Sequence, residues 1–184
     1  MRLAAGLQAY SSNAVFLNGL HIPGCVFSPL EGQLTLSNSL RDHKFVRGLP
    51  PEQVEALSKC ALPVTFEENQ VVMEDHQRSS AFYFLVSGSV VIELRSTRYA
   101  LCVQALGPGD VFGWSALLDD QDTVFAVRAR EHTLALRIEG ACLKTLCKTD
   151  PQLGCELMRR TLQVVAGRVR ATEMRFAEMC GVRV

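Results

Sequence analysis

The chain lacks a net charge, and this absence already restricts its partners. Its 19 lysine and arginine residues balance 19 aspartate and glutamate residues over 184 positions. A balanced chain has no long-range positive field that would attract nucleic acid or an anionic membrane. Any nucleic-acid role would therefore need a local basic patch.

The chain also lacks the cysteine pattern and the leader of an exported protein. Its seven cysteines are an odd number and include no C-x-x-C pair. The first thirty residues carry one formal charge, Arg2, and polar residues between positions 8 and 13 break them before any apolar run reaches signal or membrane-span length. We expect reduced thiols, a cytoplasmic location and no membrane contact.

Motifs for catalysis and metal binding are missing as well. The sequence contains no nucleophile elbow, Walker loop or pair of carboxylates at catalytic spacing. The histidines, at positions 21, 43, 76 and 132, are scattered without ligand spacing. We therefore predict that the protein is not an enzyme and needs no metal.

The first forty residues are predicted to form an irregular arm, because glycine and proline at positions 19, 23, 24 and 29 divide them into short pieces. A short helix should begin at Pro50 and Pro51, since proline is well tolerated in a first helical turn. The folded domain is predicted to cover residues 41–149.

Short β-prone runs separated by turn residues fill most of that domain. Asn69, Gly88 and the stretch Gly-Pro-Gly-Asp at 107–110 are typical of chain reversals. Eight strands without intervening helices favour an antiparallel β-roll or jelly roll (a double-stranded β-helix). The predicted strands are 64–66, 71–73, 82–86, 90–92, 101–103, 111–112, 124–127 and 134–138.

The pattern turns helical after Glu139, and Asp150 with Pro151 should cap a long helix that ends near Cys180. Residues 150–184 are the predicted C-terminal helical region. Its apolar seam favours a homodimer through a partner helix; the alternative is that the helix packs on its own roll. The seam consists of Leu153, Leu157, Thr161, Val164, Val165 and Val169.

Residues 105–118 resemble the central motif of the cyclic nucleotide-binding domain, the sensor half of the catabolite-activator type of bacterial regulator. Their sequence is Ala-Leu-Gly-Pro-Gly-Asp-Val-Phe-Gly-Trp-Ser-Ala-Leu-Leu. Residues 45–49 look like the family's entry helix, 82–92 like its strand, glycine turn and strand, and 150–160 like the start of its long C-terminal helix. The Gly-Trp-Ser-Ala-Leu version of the motif is similar to that of a bacterial subgroup.

The resemblance implies a phosphate-binding turn in which backbone N–H groups at a short helix bind one anion. Gly113 would let the backbone approach, and Ser115, Ala116 and Leu117 would supply the N–H donors. Family members that bind cyclic AMP or cyclic GMP have a glutamate where Trp114 stands and an arginine where Thr123 stands. The candidate ligand-binding residues are Phe112, Gly113, Trp114, Ser115, Ala116, Leu117, Thr123 and Val124.

Two interpretations of this altered site remain open. In the first, a cyclic nucleotide or another small anionic effector binds, and the protein is a regulatory sensor. In the second, Trp114 and Phe125 fill the pocket, and the roll is a dimeric or protein-binding scaffold. Arg128 and Arg130 could replace the lost arginine, or could lie on a solvated face. Since such regulators continue into a helix-turn-helix and this chain stops at Val184, we expect no DNA binding.

Overall fold

The computed structural model describes residues 39–118 and 122–181. The predicted arm at 1–40 therefore lies almost wholly outside the described residues. Residues 39–42 are helical and lead through a turn into the first complete helix. The elements, in chain order, are α1 (Pro51–Cys60), β1 (Ala61–Phe66), β2 (Val71–Met73), β3 (Ala81–Ser87), β4 (Val90–Arg95), β5 (Ala100–Leu106), β6 (Val111–Phe112), a 3-10 helix (Trp114–Leu117), β7 (Ala126–Ala129), β8 (Thr133–Glu139), α2 (Gly140–Thr149) and α3 (Pro151–Met179).

The strands form two four-stranded antiparallel sheets. The strand orders are β1-β8-β3-β6 and β2-β7-β4-β5. Asn69, Gly88 and Gly109 have φ values of 66°, 77° and 87°, so the predicted reversals use the left-handed backbone region. The antiparallel β-roll with a short helix before it and a long helix after it is confirmed.

One strand prediction was wrong in position. The apolar run at 124–127 was assigned to a strand, but β7 covers Ala126–Ala129 and pairs with β4 and β2. Val124 and Phe125 precede it as exposed bends. Both side chains line the cavity described below.

Strand β3 carries apolar side chains on both faces, and this explains its continuous apolar run. Tyr83 and Leu85 join the core between the two sheets, where the Tyr83 ring stacks on Phe112 with centroids 4.7 Å apart. Phe82 and Phe84 point the other way and pack against the helices. The roll and its helices therefore share one central strand.

The chain before α1 is fixed to β3 through buried His43. Its Nε2 lies 3.1 Å from the Leu85 carbonyl oxygen, and the Phe45 N–H donates to Nδ1 at 3.2 Å. Burial lowers the pKa of the His43 imidazole. The predicted entry helix at 45–49 is a turn in the structure, with Gly48 at φ 83°.

The expectation that all cysteines are reduced was wrong for one pair. Cys60, the last residue of α1, is disulfide-bonded to Cys142 in the first turn of α2, with Cα atoms 6.4 Å apart. The fold brings the two helix ends together from 82 positions apart in sequence, a separation that no spacing motif reveals. Elsewhere in the described chain, Cys102, Cys147, Cys155 and Cys180 are free thiols.

Helix α3 begins as predicted. The Asp150 side chain accepts a hydrogen bond from the Leu153 N–H at 3.0 Å and caps the helix. Leu153, Leu157 and Thr161 are buried, and both leucines belong to the core below the helix. This half of the predicted seam packs on the chain's own domain, while Val169 is 51% exposed.

Candidate ligand-binding site

The turn that enters the 3-10 helix requires glycine. Gly113 is its N-cap residue, with φ 77°. A Cβ atom at this position would lie 2.3 Å from the Ala81 carbonyl oxygen and 3.1 Å from Cδ2 of Tyr83. The backbone can lie this close to β3 only because residue 113 has no side chain.

The 3-10 helix is supported from behind by α2. Ala116 and Leu117 are buried, and the Ala116 N–H donates to the Gly113 carbonyl oxygen at 3.0 Å. A Cβ atom on Gly140 would lie 2.7 Å from the Ala116 carbonyl oxygen. The 3-10 helix therefore packs closely against α2, with Ala116 and Leu117 in the protein interior.

A cavity of about 660 Å³ lies in front of this turn, a volume typical of small-molecule sites. Ala116 and Leu117 do not line it. Six of the eight residues singled out from the sequence do line it and form one wall: Phe112, Gly113, Trp114, Ser115, Thr123 and Val124.

Helix α3 forms the opposite wall, which the sequence reasoning missed. Periodicity identified an apolar seam, but it could not show which part of the roll the helix crosses. The contributing residues lie about fifty to sixty positions after the turn: Val165, Arg168, Val169, Thr172, Glu173 and Phe176.

Arginine side chains along α3 bind it to the roll and to the segment before α1. The Arg160 guanidinium donates to the carbonyl oxygens of Phe45 and Arg47. Arg168 donates to the Val111 carbonyl oxygen, and Arg175 donates to that of Val103. Each of the three arginines therefore contacts the main chain of another part of the domain.

The cavity lining is mainly apolar. Eleven of its 19 residues are aliphatic, aromatic or methionine side chains, four are uncharged polar residues and three are charged. Val124 and Phe125, the residues misassigned to a strand, belong to the apolar group. The polar and charged lining residues are Gln104, Ser115, Thr123, Thr172, Asp122, Arg168 and Glu173.

Trp114 is half-buried on the cavity wall and packs against the core. The volume in front of it stays open, so the arrangement in which the indole fills the pocket is not seen. Arg128 does not line the cavity: its Nε lies 3.2 Å from Glu93 Oε2, and its Nη1 lies 2.9 Å from the Asn69 carbonyl oxygen. Arg130 is exposed and also lies outside the cavity.

Neither metal ligation nor a membrane span is found in residues 39–118 and 122–181. No group of three or more histidine, cysteine, aspartate or glutamate side chains in these ranges has the arrangement of a metal site. No helix in the same ranges has both the length and the apolarity needed to cross a bilayer.

Residues 63–150 match the family model described as "Cyclic nucleotide-binding domain". A CRP-like cAMP-activated global transcriptional regulator from Mycobacterium tuberculosis is 25% identical over 135 residues, which are 72% of this chain and 58% of the regulator. The chain thus spans somewhat more than half of that relative's length.

Solved structures show the same fold. A cyclic nucleotide-binding domain from Methylobacillus flagellatus superposes with a TM-score of 0.68 at 15% identity, covering 81% of this chain and 84% of that one. The regulatory subunit of a cAMP-independent protein kinase A from Trypanosoma brucei superposes with a TM-score of 0.62 at 19% identity, covering 73% and 48%.

Proposed function

We propose that this chain, in which residues 63–150 fold as a cyclic nucleotide-binding domain, is a regulatory module that binds a small effector in the cavity beneath α3. The observation that supports this proposal is that the cavity has two walls from different parts of the fold. One is the Gly113 turn of the roll, and the other is the C-terminal half of α3. A molecule bound there touches both.

This shared cavity gives the effector a means of regulation. A ligand shifts a conformational equilibrium only by the difference in its affinity for the two states. Because residues 165–176 supply one wall, a position of α3 that closes on the ligand is favoured when the cavity is occupied. Ligand binding then changes the position or mobility of α3. This change can alter the interaction of α3 with a partner.

The altered motif argues for weakened binding of ordinary cyclic nucleotides. Trp114 offers an apolar ring in place of a carboxylate, and Thr123 offers no positive charge. A hydrogen bond to a charged group contributes about 1.5–3 kcal/mol, so the loss of one such contact lowers affinity by roughly one to two powers of ten. The effector is a cyclic nucleotide bound weakly, or another small organic anion.

The partner of α3 in this proposal is a second copy of the chain. Leu162, Val169 and Phe176 are spaced seven residues apart and are 67%, 51% and 67% exposed, and the last two also border the cavity. A heptad-spaced apolar stripe is the pattern of a helix that pairs with another helix. Size-exclusion chromatography with light scattering should measure the molar mass of a dimer. Leu162→Glu should convert it to monomer, while Gln163→Glu, about 100° around the helix, should not.

Ligand binding is tested with the single tryptophan, which lies on the cavity wall. Trp114 fluorescence and the melting temperature are followed during titration with cyclic AMP, cyclic GMP and cyclic dinucleotides. Saturable quenching with a raised melting temperature for one of them supports a nucleotide sensor. No response to any of them at millimolar concentration would set aside nucleotide sensing by this site.

The proposal concerns regulation rather than catalysis, and it concerns the sensor domain alone. The cytoplasmic location expected from the sequence stays a prediction.

A further inference from the structure

Among the described arginines, Arg168 alone is partly buried without an ion pair, and it lies on the cavity wall. We propose that Arg168 binds the anionic group of the effector, so that the cavity selects an organic anion with a largely apolar body. This inference rests on the proposed function, because it assigns the charged contact within the same cavity.

Most arginines with described contacts are neutralised by carboxylates. Glu156 pairs with Arg159 and Arg160, at 2.7 and 2.6 Å. Similar ion pairs join Arg95 and Arg128 to Glu93 and join Arg137 to Glu139. Within the described ranges, Arg168 forms no ion pair.

Arg168 nevertheless lies in a partly buried position on the cavity wall. One of its terminal nitrogens donates to the carbonyl oxygen of Val111, two residues before Gly113. A guanidinium has five N–H donors in a planar fork, so donors remain for a ligand oxygen. The hydrogen bond to Val111 also holds the side chain beside the turn, which reduces the entropy lost when a ligand binds.

The burial of Arg168 favours an incoming anion, although the Asp110 carboxylate lies nearby. Burial lowers the pKa of the Arg168 guanidinium, and nearby Asp110 compensates in part. The Oδ2 atom of Asp110 already accepts from the Gly107 N–H at 3.0 Å. Since a desolvated cation is stabilised by a bound anion, an oxyanion at Arg168 would recover part of the lost solvation.

The two carboxylates of the lining oppose this interaction only weakly. Asp122 has a side chain that is 64% exposed and lies 4.0 Å from Nε of Arg78. Glu173 is exposed on α3. Water screens exposed charges far more than partly buried ones, so the local preference at Arg168 is for negative charge.

The remaining lining determines the body of the ligand. Phe112, Trp114, Phe125 and Phe176 offer aromatic surface to the cavity. Such a lining favours a flat apolar molecule over a highly hydroxylated one. The expected ligand is therefore an aromatic or otherwise apolar molecule with one carboxylate, phosphate or sulfonate group.

Two fluorescent probes that differ by a single charged group test the assignment. 8-Anilinonaphthalene-1-sulfonate carries the anion, and N-phenyl-1-naphthylamine is the same aromatic body without it. Each is titrated into the full chain, with energy transfer from Trp114 reporting binding at the cavity. The variant is Arg168→Met, which keeps most of the aliphatic stem. The matched control is Arg175→Met, which also removes an arginine-to-carbonyl contact from α3 but lies outside the cavity lining.

We expect the Arg168→Met variant to bind the sulfonate probe about tenfold more weakly, the lower end of the range for a charged hydrogen bond. Its affinity for the neutral probe should be unchanged, and Arg175→Met should bind both probes normally. Circular dichroism and the melting temperature establish that each variant is folded.

Other results would overturn the proposal in distinguishable ways. If Arg168→Met binds each probe as tightly as the wild type does, the role of Arg168 is refuted and the cavity stands. Parallel loss of both probes in Arg168→Met would mean that the arginine only holds α3 in place. Absence of energy transfer with either probe in the wild type would refute the open cavity, and with it the proposed function.

Discussion

Replacement of Gly113 by alanine should destabilise the domain through two separable effects. The residue has φ 77°, a conformation that is unfavourable for any residue with a Cβ atom. In addition, that Cβ atom would lie 2.3 Å from the Ala81 carbonyl oxygen. Since backbone atoms of β3 cannot move aside as a flexible side chain can, the turn would have to shift away from the sheet.

The chain offers a control that isolates the second effect. Gly48 has φ 83°, but a Cβ atom there would meet nothing within 4 Å. The left-handed conformation costs an alanine about 1–2 kcal/mol, and this should be the whole effect of Gly48→Ala. Overpacking adds about 1–3 kcal/mol, so Gly113→Ala should lose roughly 2–5 kcal/mol in total.

Urea denaturation of the wild type and the two variants, followed by circular dichroism, measures these differences. The Gly113→Ala variant should unfold at a clearly lower urea concentration than Gly48→Ala, and it should also lose ligand-probe binding at Trp114. Equal midpoints for the two variants would refute the close approach of the turn to β3.

Three further perturbations test other parts of the fold. Burial lowers the pKa of His43 below its ordinary 6.5, so the folded state resists protonation and the free energy of unfolding should fall as the pH drops below about 6.5. The free energy of unfolding of His43→Gln should lack this fall, and a pH profile identical to that of the wild type would contradict the prediction. Reduction of the Cys60–Cys142 bond, which joins residues 82 positions apart, should lower the free energy of unfolding by about 2–4 kcal/mol. Non-reducing peptide mapping that found both thiols free would contradict the bond. Hydrogen bonds from two arginines lower the pKa of Glu156 to about 2, so the stability that Glu156 contributes is present above pH 4.5 and is lost as the pH falls toward 2. Glu156→Gln should flatten the dependence of stability on pH in that window, and a dependence as steep as that of the wild type would refute the ion pairs.

The strands and turns of the roll could be predicted because their signals are local. Each strand is a short β-prone run, and Asn69, Gly88 and Gly109 mark reversals by their backbone preferences. Gly113 was also recognised as the glycine of a tight turn, although the structural reason for it, the close approach to Ala81, depends on a strand about thirty residues earlier.

The features that sequence reasoning missed depend on packing between distant elements. Helical periodicity identified an apolar face of α3, yet it could not tell that Leu153 and Leu157 face the chain's own core while Arg168 reaches the cavity. The disulfide escaped prediction for the same reason, since its two cysteines lie at the ends of different helices.

Val124 and Phe125 illustrate a third kind of limit. Both are apolar and β-prone, so a propensity-based reading extends the strand through them. The structure uses them as exposed lining of a cavity instead. Apolar residues that line a cavity therefore carry the same sequence signal as apolar residues that build a sheet.

Hydrogen–deuterium exchange of the free protein and of the protein saturated with 8-anilinonaphthalene-1-sulfonate tests the central claim most directly. If one cavity has the Gly113 turn and α3 as its two walls, peptides covering 112–118 and 165–176 should both exchange more slowly in the bound state. Protection confined to one of the two segments, or found elsewhere in the domain, would contradict a site through which ligand occupancy reaches the helix.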